Sequence, residues 1–300
     1  MQERTAMDRQ TYVIDIGTNS VRMMKAAVAD GRVKRLWKTL RTVRTGEGVN
    51  ASGRLSEAAI ERTIGALKEY REIMEQEGFP AGEFFCFATS AVRDSANRDE
   101  FVKRVEQACG IRVTILSGAE EARYGFAGAV GNGDGGIVDI GGGSTEIIFG
   151  RGGKIAYARS FDVGCVRGME MFAEADIAKV TDWACALFAE VPFSQAEDLV
   201  FYAVGGTATA LAAIDQHLAV YSEEKVQGYI LTHGTIQKMM GWMGKMTLEE
   251  RRHVIGMEPR RADVILYGLA ILSAFFKASG QKRVIVSEAD NMEGYLLCQE

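Results

Sequence analysis

The chain alternates short apolar runs with longer stretches in which apolar residues return every three or four positions. Residues 12–16 (YVIDI) predict a strand, 17–20 (GTNS) a turn, Val21 to about Val28 a second strand, and 33–43 a third. Residues 46–53 (GEGVNASG) read as a loop. Ser56 suits the N-cap of a helix running to about Gln76, with Ile60, Ile64, Leu67 and Ile73 on one face and Gly78 as its stop. A buried strand is expected at 84–88, then a helix over 100–108 capped by Asn97 and ended by Gly110. Residues 111–116 predict a strand, and a helix follows Ser117.

The second half opens with a strand–turn–strand over 137–149, a strand near 155–161 and a helix from about 176 to 190. A strand at 199–204 leads through a Gly–Gly turn into a helix over 207–216. Helices are expected at 235–244, 247–253 and 260–278, then a strand at 284–286 and a last helix at 293–298. Strands alternating with helices predict an α/β chain whose sheets carry helices on their faces. Glycines 125, 128, 131, 133, 135 and 136 cluster where a boundary or hinge is expected. They divide the chain into a first domain over 1–126 and a second over 127–300, the C-terminal helix being a candidate to pack back on the first.

Composition sharpens this. Among 300 residues there are 34 Gly and 3 Pro, with 47% hydrophobic residues, so the glycines belong to tight turns of a folded chain rather than to a linker. The formal net charge of −5 supplies no global field for nucleic acid or an anionic membrane. Any anion must be held by local donors or a metal. Five widely spaced cysteines without a CxxC read as reduced thiols of a cytoplasmic protein, and the three histidines form no metal-binding pair. Residues 1–11 carry no apolar signal core. The longest apolar run, 264–276, is too short to span a bilayer and reads as a core helix.

The most informative feature is an internal repeat. Val13-Ile14-Asp15-Ile16-Gly17-Thr18-Asn19-Ser20-Val21-Arg22 matches Ile137-Val138-Asp139-Ile140-Gly141-Gly142-Gly143-Ser144-Thr145-Glu146. In each copy a buried strand delivers an Asp near its end. A glycine-rich turn then exposes backbone N–H groups, and a Ser adds a hydroxyl. Two such hairpins facing one another would grip a phosphate chain, and their Asp residues could hold a divalent metal through water. A lone turn of this kind is equally a simple tight turn. A dinucleotide fingerprint would need a helix after the turn, whereas Thr145-Glu146-Ile147-Ile148-Phe149 is strand-forming.

Paired hairpins of this type resemble the phosphate loops of the actin, sugar-kinase and heat-shock ATPase superfold. Within it, the chain is similar over nearly its whole length to the exopolyphosphatase / guanosine-pentaphosphatase (Ppx/GppA) family. The stretches that carry the likeness are DIGTNSVR (15–22), ATSAVRDSAN (88–97), ILSGAEEAR (115–123), VDIGGGSTEI (138–147), VGCVRG (163–168), AVGGTATALAA (203–213) and EPRRADVILYGLAIL (258–272). The resemblance implies two actin-like (ribonuclease H-like) α/β domains with a duplicated β-hairpin phosphate loop and an interdomain cleft. It implies a cytoplasmic, homodimeric hydrolase that releases terminal orthophosphate from inorganic polyphosphate or guanosine pentaphosphate with Mg²⁺. Nucleic acid and membrane are not expected partners.

Residue by residue, the resemblance picks Glu121 rather than Glu120 as the base that activates water, against the ordinary reading of acidic residues in a first helical turn. It gives Arg93 a contact to the scissile phosphates, against the reading of a solvated loop arginine. Arg22 is a candidate phosphate contact or an outward-pointing strand residue. Gly17, Thr18, Asn19 and Ser20 form the first cradle, and Gly141, Gly142, Gly143, Ser144 and Thr145 the second. Gly205, Gly206 and Thr207 form a further turn before a helix N-terminus, suited to an anion or simply linking strand to helix. Asp139 and Glu146 are the leading carboxylates for Mg²⁺, and Asp15 is a weaker one. Arg41, Arg44, Lys103, Arg104, Arg123, Arg159 and Arg167 receive no role.

Two departures stand out. Longer members carry a further C-terminal helical region, whereas this sequence ends near where a two-domain core is expected to end. The family's Gly-Leu-Arg-Glu-Gly is Asp290-Asn291-Met292-Glu293-Gly294 here, so Met292 stands in place of an Arg. A kinase of the same superfold and a polyphosphate- or nucleotide-sensing protein with little turnover remain the rival readings.

Overall fold

The computed structural model describes residues 9–79, 84–172 and 177–299. They form two compact units: the chain up to Ser117 together with the segment from Met292 onward, and Gly118–Asn291.

The first unit is built on a five-stranded sheet in the order β3-β2-β1-β4-β5. Its strands are β1 (Arg9–Ile16), β2 (Ser20–Ala29), β3 (Arg32–Thr42), β4 (Phe85–Ala88) and β5 (Thr114–Ile115). The first three form an antiparallel meander, and β4 and β5 add in parallel. Helices α1 (Val49–Ser52), α2 (Glu57–Gln76), α3 (Ser90–Arg93) and α4 (Arg98–Cys109) follow the strands. Alternation along β1 and β2 sends Ile14, Ile16, Val21 and Met23 to one face. There they pack with Ile60, Leu67 and Tyr70 of α2 and with Phe101 and Val105 of α4. Ser56 caps α2 by accepting the Ala59 N–H. The terminal helix α13 (Asn291–Leu297) brings Tyr295 onto Phe85 and Phe87, with ring centroids 5.4 and 5.1 Å apart.

The second unit repeats the plan. Its sheet runs β10-β11-β9-β6-β7-β8, from strands β6 (Gly135–Ile140), β7 (Thr145–Arg151), β8 (Lys154–Phe161), β9 (Phe201–Val204), β10 (Ile230–Thr232) and β11 (Arg283–Val286). Again three antiparallel strands are followed by two parallel additions, β9 and β11, and β10 extends the edge. Helix α5 (Gly118–Ala129) covers one face, setting Ala122 and Phe126 on Ile137, Ile148 and Val204. Helices α7 (Ile177–Phe188), α8 (Gly205–Asp215), α10 (His233–Met243) and α12 (Ile265–Ser279) form the main core with the opposite face. The apolar run 264–276 is α12, whose residues from Ile265 to Phe276 are all buried. Shorter helices are α6 (Cys165–Met171), α9 (Glu223–Val226) and α11 (Leu248–Arg252). The matching strand orders make each unit an actin-like α/β fold.

Several local expectations are corrected. The loop 46–53 contains α1, ended by Gly53 in the left-handed region. Asn97 does not cap α4; its amide pairs with both the N–H and the C=O of Leu55. The strand at 111–116 shrinks to β5, because only Thr114 and Ile115 meet β4. Arg93 ends the one-turn α3 rather than lying in a loop, and Gly205–Gly206 open α8 instead of preceding it. The stretch 260–278 divides into a 3₁₀ turn at Pro259–Arg261 and α12. The glycine cluster 125–136 lies inside the second unit, where Gly125 abuts Ile137 and Gly136 abuts Phe201. The expected boundary at 126 placed α5 in the first domain; it packs on β6, β7, β8 and β9 of the second unit.

Candidate active site

The duplication extends to the backbone hydrogen bonds of the hairpins. In the first, the Gly17 N–H donates to the Ser20 carbonyl at 3.1 Å; in the second, Gly141 donates to Ser144 at 3.0 Å. The carbonyls beyond each glycine are tied back by the segment that follows the third strand. Thr18 C=O accepts from Gly46 and Asn19 C=O from Arg44, both at 2.9 Å. Gly141 C=O accepts from Cys165 at 3.0 Å, and Gly142 C=O from Val166 at 2.8 Å and Arg167 at 3.0 Å. The Arg167 Nε donates to Gly143 C=O at 2.8 Å. Among the described residues the amides of Gly142 and Gly143 find no acceptor. Gly164 makes the tie possible, since any Cβ there would run into the Gly142 backbone. Thr145 is held differently, its hydroxyl donating to Val163 C=O at 2.5 Å. Thr207 likewise donates to Ile140 C=O at 3.1 Å, so both hydroxyls support the backbone and leave binding to the amides.

The carboxylates divide between the units. Asp15 faces Arg22 across β1–β2, and the two form an ion pair with Nε to Oδ2 at 3.0 Å. Asp139 faces Glu146 across β6–β7. Both Asp15 and Glu146 are 2% exposed. The Ser160 hydroxyl donates to Glu146 Oε1 at 2.5 Å. Gly118, which starts α5, packs on Ser160, its Cβ position 3.1 Å from that of Ser160. One turn on, Glu121 is buried while Glu120 is exposed. Arg93 is largely buried, with Nη1 donating to Leu116 C=O at 3.4 Å and Nε beside Asp94 at 3.3 Å.

At the second glycine turn, Gly205 has φ +84° and lies against the Asp139 carboxylate. The Arg261 guanidinium lies on Gly206, held by Glu258 at 2.9 Å. Cys165 sits beside Arg261 and Thr207. Burial pushes its thiol up to about 11, against the pull of the Arg261 charge.

The Ppx/GppA phosphatase family model matches residues 25–300 of the chain. The chain belongs to the Ppx/GppA phosphatase family. As a member it is an enzyme that hydrolyses phosphoanhydride bonds. Exopolyphosphatase 2 of Mycobacterium tuberculosis is 33% identical over 95% of this chain and 96% of its own length. A bifunctional 3-dehydroquinate synthase/phosphatase of Fusobacterium nucleatum is 34% identical over 95% of this chain, which spans 46% of that protein. The crystal structure of an exopolyphosphatase from Cytophaga hutchinsonii superposes with a TM-score of 0.85 at 26% identity, covering 97% of both chains.

In a Ppx/GppA phosphatase two more arginines gain interest, Arg167 and Arg261, to which sequence reasoning gave no role. The signal for Arg261 lay in 258–263 (EPRRAD), but two adjacent arginines carry no cue to which one turns inward. The fold decides, leaving the Arg261 side chain 13% exposed against Gly206. Among the described residues no three His, Cys, Asp or Glu side chains gather as a protein-only metal site. The Asp139–Glu146 pair nevertheless fits a hard cation. Directly opposite residues on neighbouring strands have Cβ atoms about 5 Å apart, where like charges repel, and Mg²⁺ takes few protein carboxylates when phosphate oxygens complete its shell.

Proposed function

We propose that the chain releases terminal orthophosphate from inorganic polyphosphate, with guanosine pentaphosphate as the alternative substrate. The observation that carries this reading is Glu121: a buried carboxylate on a helix whose first residue packs on Ser160, the hydroxyl that holds Glu146. A water oxygen attacks the terminal phosphorus in line. Glu121 orients that water and takes its proton, and the bridging oxygen leaves with the shortened chain. The amides of Gly142 and Gly143 and the Arg261 guanidinium bind phosphate oxygens, and Arg93 meets the charge that develops on the scissile group. Asp139 and Glu146 would hold Mg²⁺, which neutralises phosphate charge when bound. The homodimer and the cytoplasmic location implied by the resemblance belong to the same reading.

Orthophosphate release from polyphosphate, guanosine pentaphosphate and ATP, with and without Mg²⁺, tests it. Wild-type protein is expected to release phosphate from one of the first two only with the metal. Glu121→Gln should lower kcat by about 100-fold or more, the scale of a general base. Full activity in that variant would sink the mechanism, and tight binding without release would favour a sensor.

A further inference from the structure

The two hairpins hold equivalent carbonyls by different means. In the first, the Asn19 C=O accepts from a backbone donor, the Arg44 N–H, at 2.9 Å. In the second, the equivalent Gly143 C=O accepts from a side chain, Arg167 Nε, at 2.8 Å. Arg167 is the third residue of α6, and its own backbone N–H donates to the neighbouring Gly142 C=O at 3.0 Å. One residue thus holds two successive carbonyls of the loop. Its side chain is withdrawn from water, 18% exposed, and its Nη2 lies 3.8 Å from the exposed Asp162 carboxylate, too far for a hydrogen bond. The second loop needs such a hold more than the first. The first hairpin turns through Gly17-Thr18-Asn19, the second through three glycines, Gly141 to Gly143. Glycine gives up more conformational freedom on ordering than any other residue.

We propose that Arg167 is a positioning residue for the second phosphate loop: its grip on the Gly143 C=O sets the direction of the Ser144 N–H and so completes the anion cradle. The peptide bonds of the described residues are all trans. Across a trans peptide the C=O of one residue and the N–H of the next point in opposite directions. The C=O groups of Gly141, Gly142 and Gly143 all accept from the segment 165–167. The N–H groups of Gly142, Gly143 and Ser144 therefore point away from that segment. Among the described residues none of the three finds an acceptor, although Gly143 and Ser144 are buried. Buried N–H groups are rarely left unpaired, so three in succession mark a place for the oxygens of an anion. Backbone donors set the first two; the third rests on the Arg167 guanidinium. Arg167 acts through the backbone, and its charge need not touch the substrate. This rests on the proposed function for the identity of the anion. The role of Arg167 in ordering the loop does not need turnover.

The test is amide NMR of the full chain, free and with inorganic phosphate, with KM and kcat for polyphosphate measured alongside. In wild type the amides of Gly142, Gly143 and Ser144 should each give one signal that moves on adding phosphate. Arg167→Met keeps the stem and removes the donor. It should split or broaden the Gly143 and Ser144 signals and raise KM about tenfold, the scale of one hydrogen bond to a charged group, with the smaller change in kcat. Arg167→Lys, which can still donate to the carbonyl, should recover part of both. The ratio of the Met variant's KM to that of wild type should hold between about 50 and 300 mM salt, since a bond to a neutral carbonyl is not screened as a charge–phosphate contact is. Asp162→Asn should leave KM within about twofold. Unchanged loop signals and unchanged KM in Arg167→Met would overturn the proposal. A lowered thermal unfolding midpoint with unchanged KM would reduce Arg167 to a structural role. A ratio that collapses in salt would make Arg167 a direct phosphate contact instead. If no substrate is turned over at all, the proposed function fails, and the loop signals still decide the role of Arg167.

Discussion

The Gly205 backbone lies so close to the Asp139 carboxylate that no side chain fits between them. The first residue of α8 thus fixes a residue at the end of β6, and it does so at φ +84°, where a side chain is strained in any case. Gly205→Ala should lower stability by about 1–3 kcal/mol and weaken Mn²⁺ binding by displacing Asp139. Gly228→Ala is the control: its φ is +78°, but a Cβ there meets nothing within 4 Å. It should share the stability loss and leave Mn²⁺ binding unchanged. Thermal unfolding and metal titration of the two variants separate strain from displacement.

Glu120 and Glu121 are adjacent in sequence and about 100° apart around the helix. The first is exposed and the second buried. Glu120→Gln should leave kcat within about twofold, since a surface substitution away from special features is nearly neutral, whereas Glu121→Gln abolishes most turnover. Steady-state kinetics on both variants check this. Equal losses would mean that the acidic first turn matters as a whole.

The strands and long helices were legible because their apolar spacing is regular, as in α2 and α12. The duplicated hairpin was legible as residues, and the backbone bonds at Gly17 and Gly141 repeat it. What sequence could not carry is partnership across long separations. Asn97 looks like a cap in isolation, yet Leu55, far away in sequence, offers it both halves of a peptide group. Arg261 gained its place only because Gly206 left room for it. Short elements such as α3 and β5 have too few residues for a period to show.

Burial pushes the Cys165 thiol from about 9 to about 11, so the folded chain holds that proton more tightly than the unfolded one. Its contribution to stability is intact below pH 9 and is lost as pH rises towards 11, by about 3 kcal/mol for a shift of this size. Cys165→Ala should therefore show a flatter stability curve than wild type between pH 9 and 11, measured by urea unfolding. At pH 8 the exposed Cys298 should react rapidly with a disulfide reagent, whereas Cys86 and Cys165, both buried with raised thiols, should react only on unfolding.

Tyr295 fastens the end of the chain to the first sheet through Phe85 and Phe87, and it is 7% exposed. Removing a buried ring of this size costs about 3 kcal/mol or more. Tyr295→Ala is expected to lower stability by that amount in urea, and Tyr295→Phe to restore most of it, because the ring contacts survive. A loss in the Phe variant equal to that in the Ala variant would shift the role to the hydroxyl.

Asp139 and Glu146 oppose one another on neighbouring strands, so without a cation their repulsion works against the fold. Mg²⁺ should therefore stabilise the protein in the absence of any substrate, by about 2.7 kcal/mol at a hundred times its Kd. Glu146→Gln removes one charge while keeping an oxygen for the Ser160 hydroxyl. In chelator it should be more stable than wild type by up to about 1 kcal/mol, and its response to Mg²⁺ should shrink. Thermal unfolding of both proteins with chelator and with Mg²⁺ reads this directly. A wild-type protein indifferent to Mg²⁺, or a Glu146→Gln variant that keeps the full response, would remove this pair from the metal site.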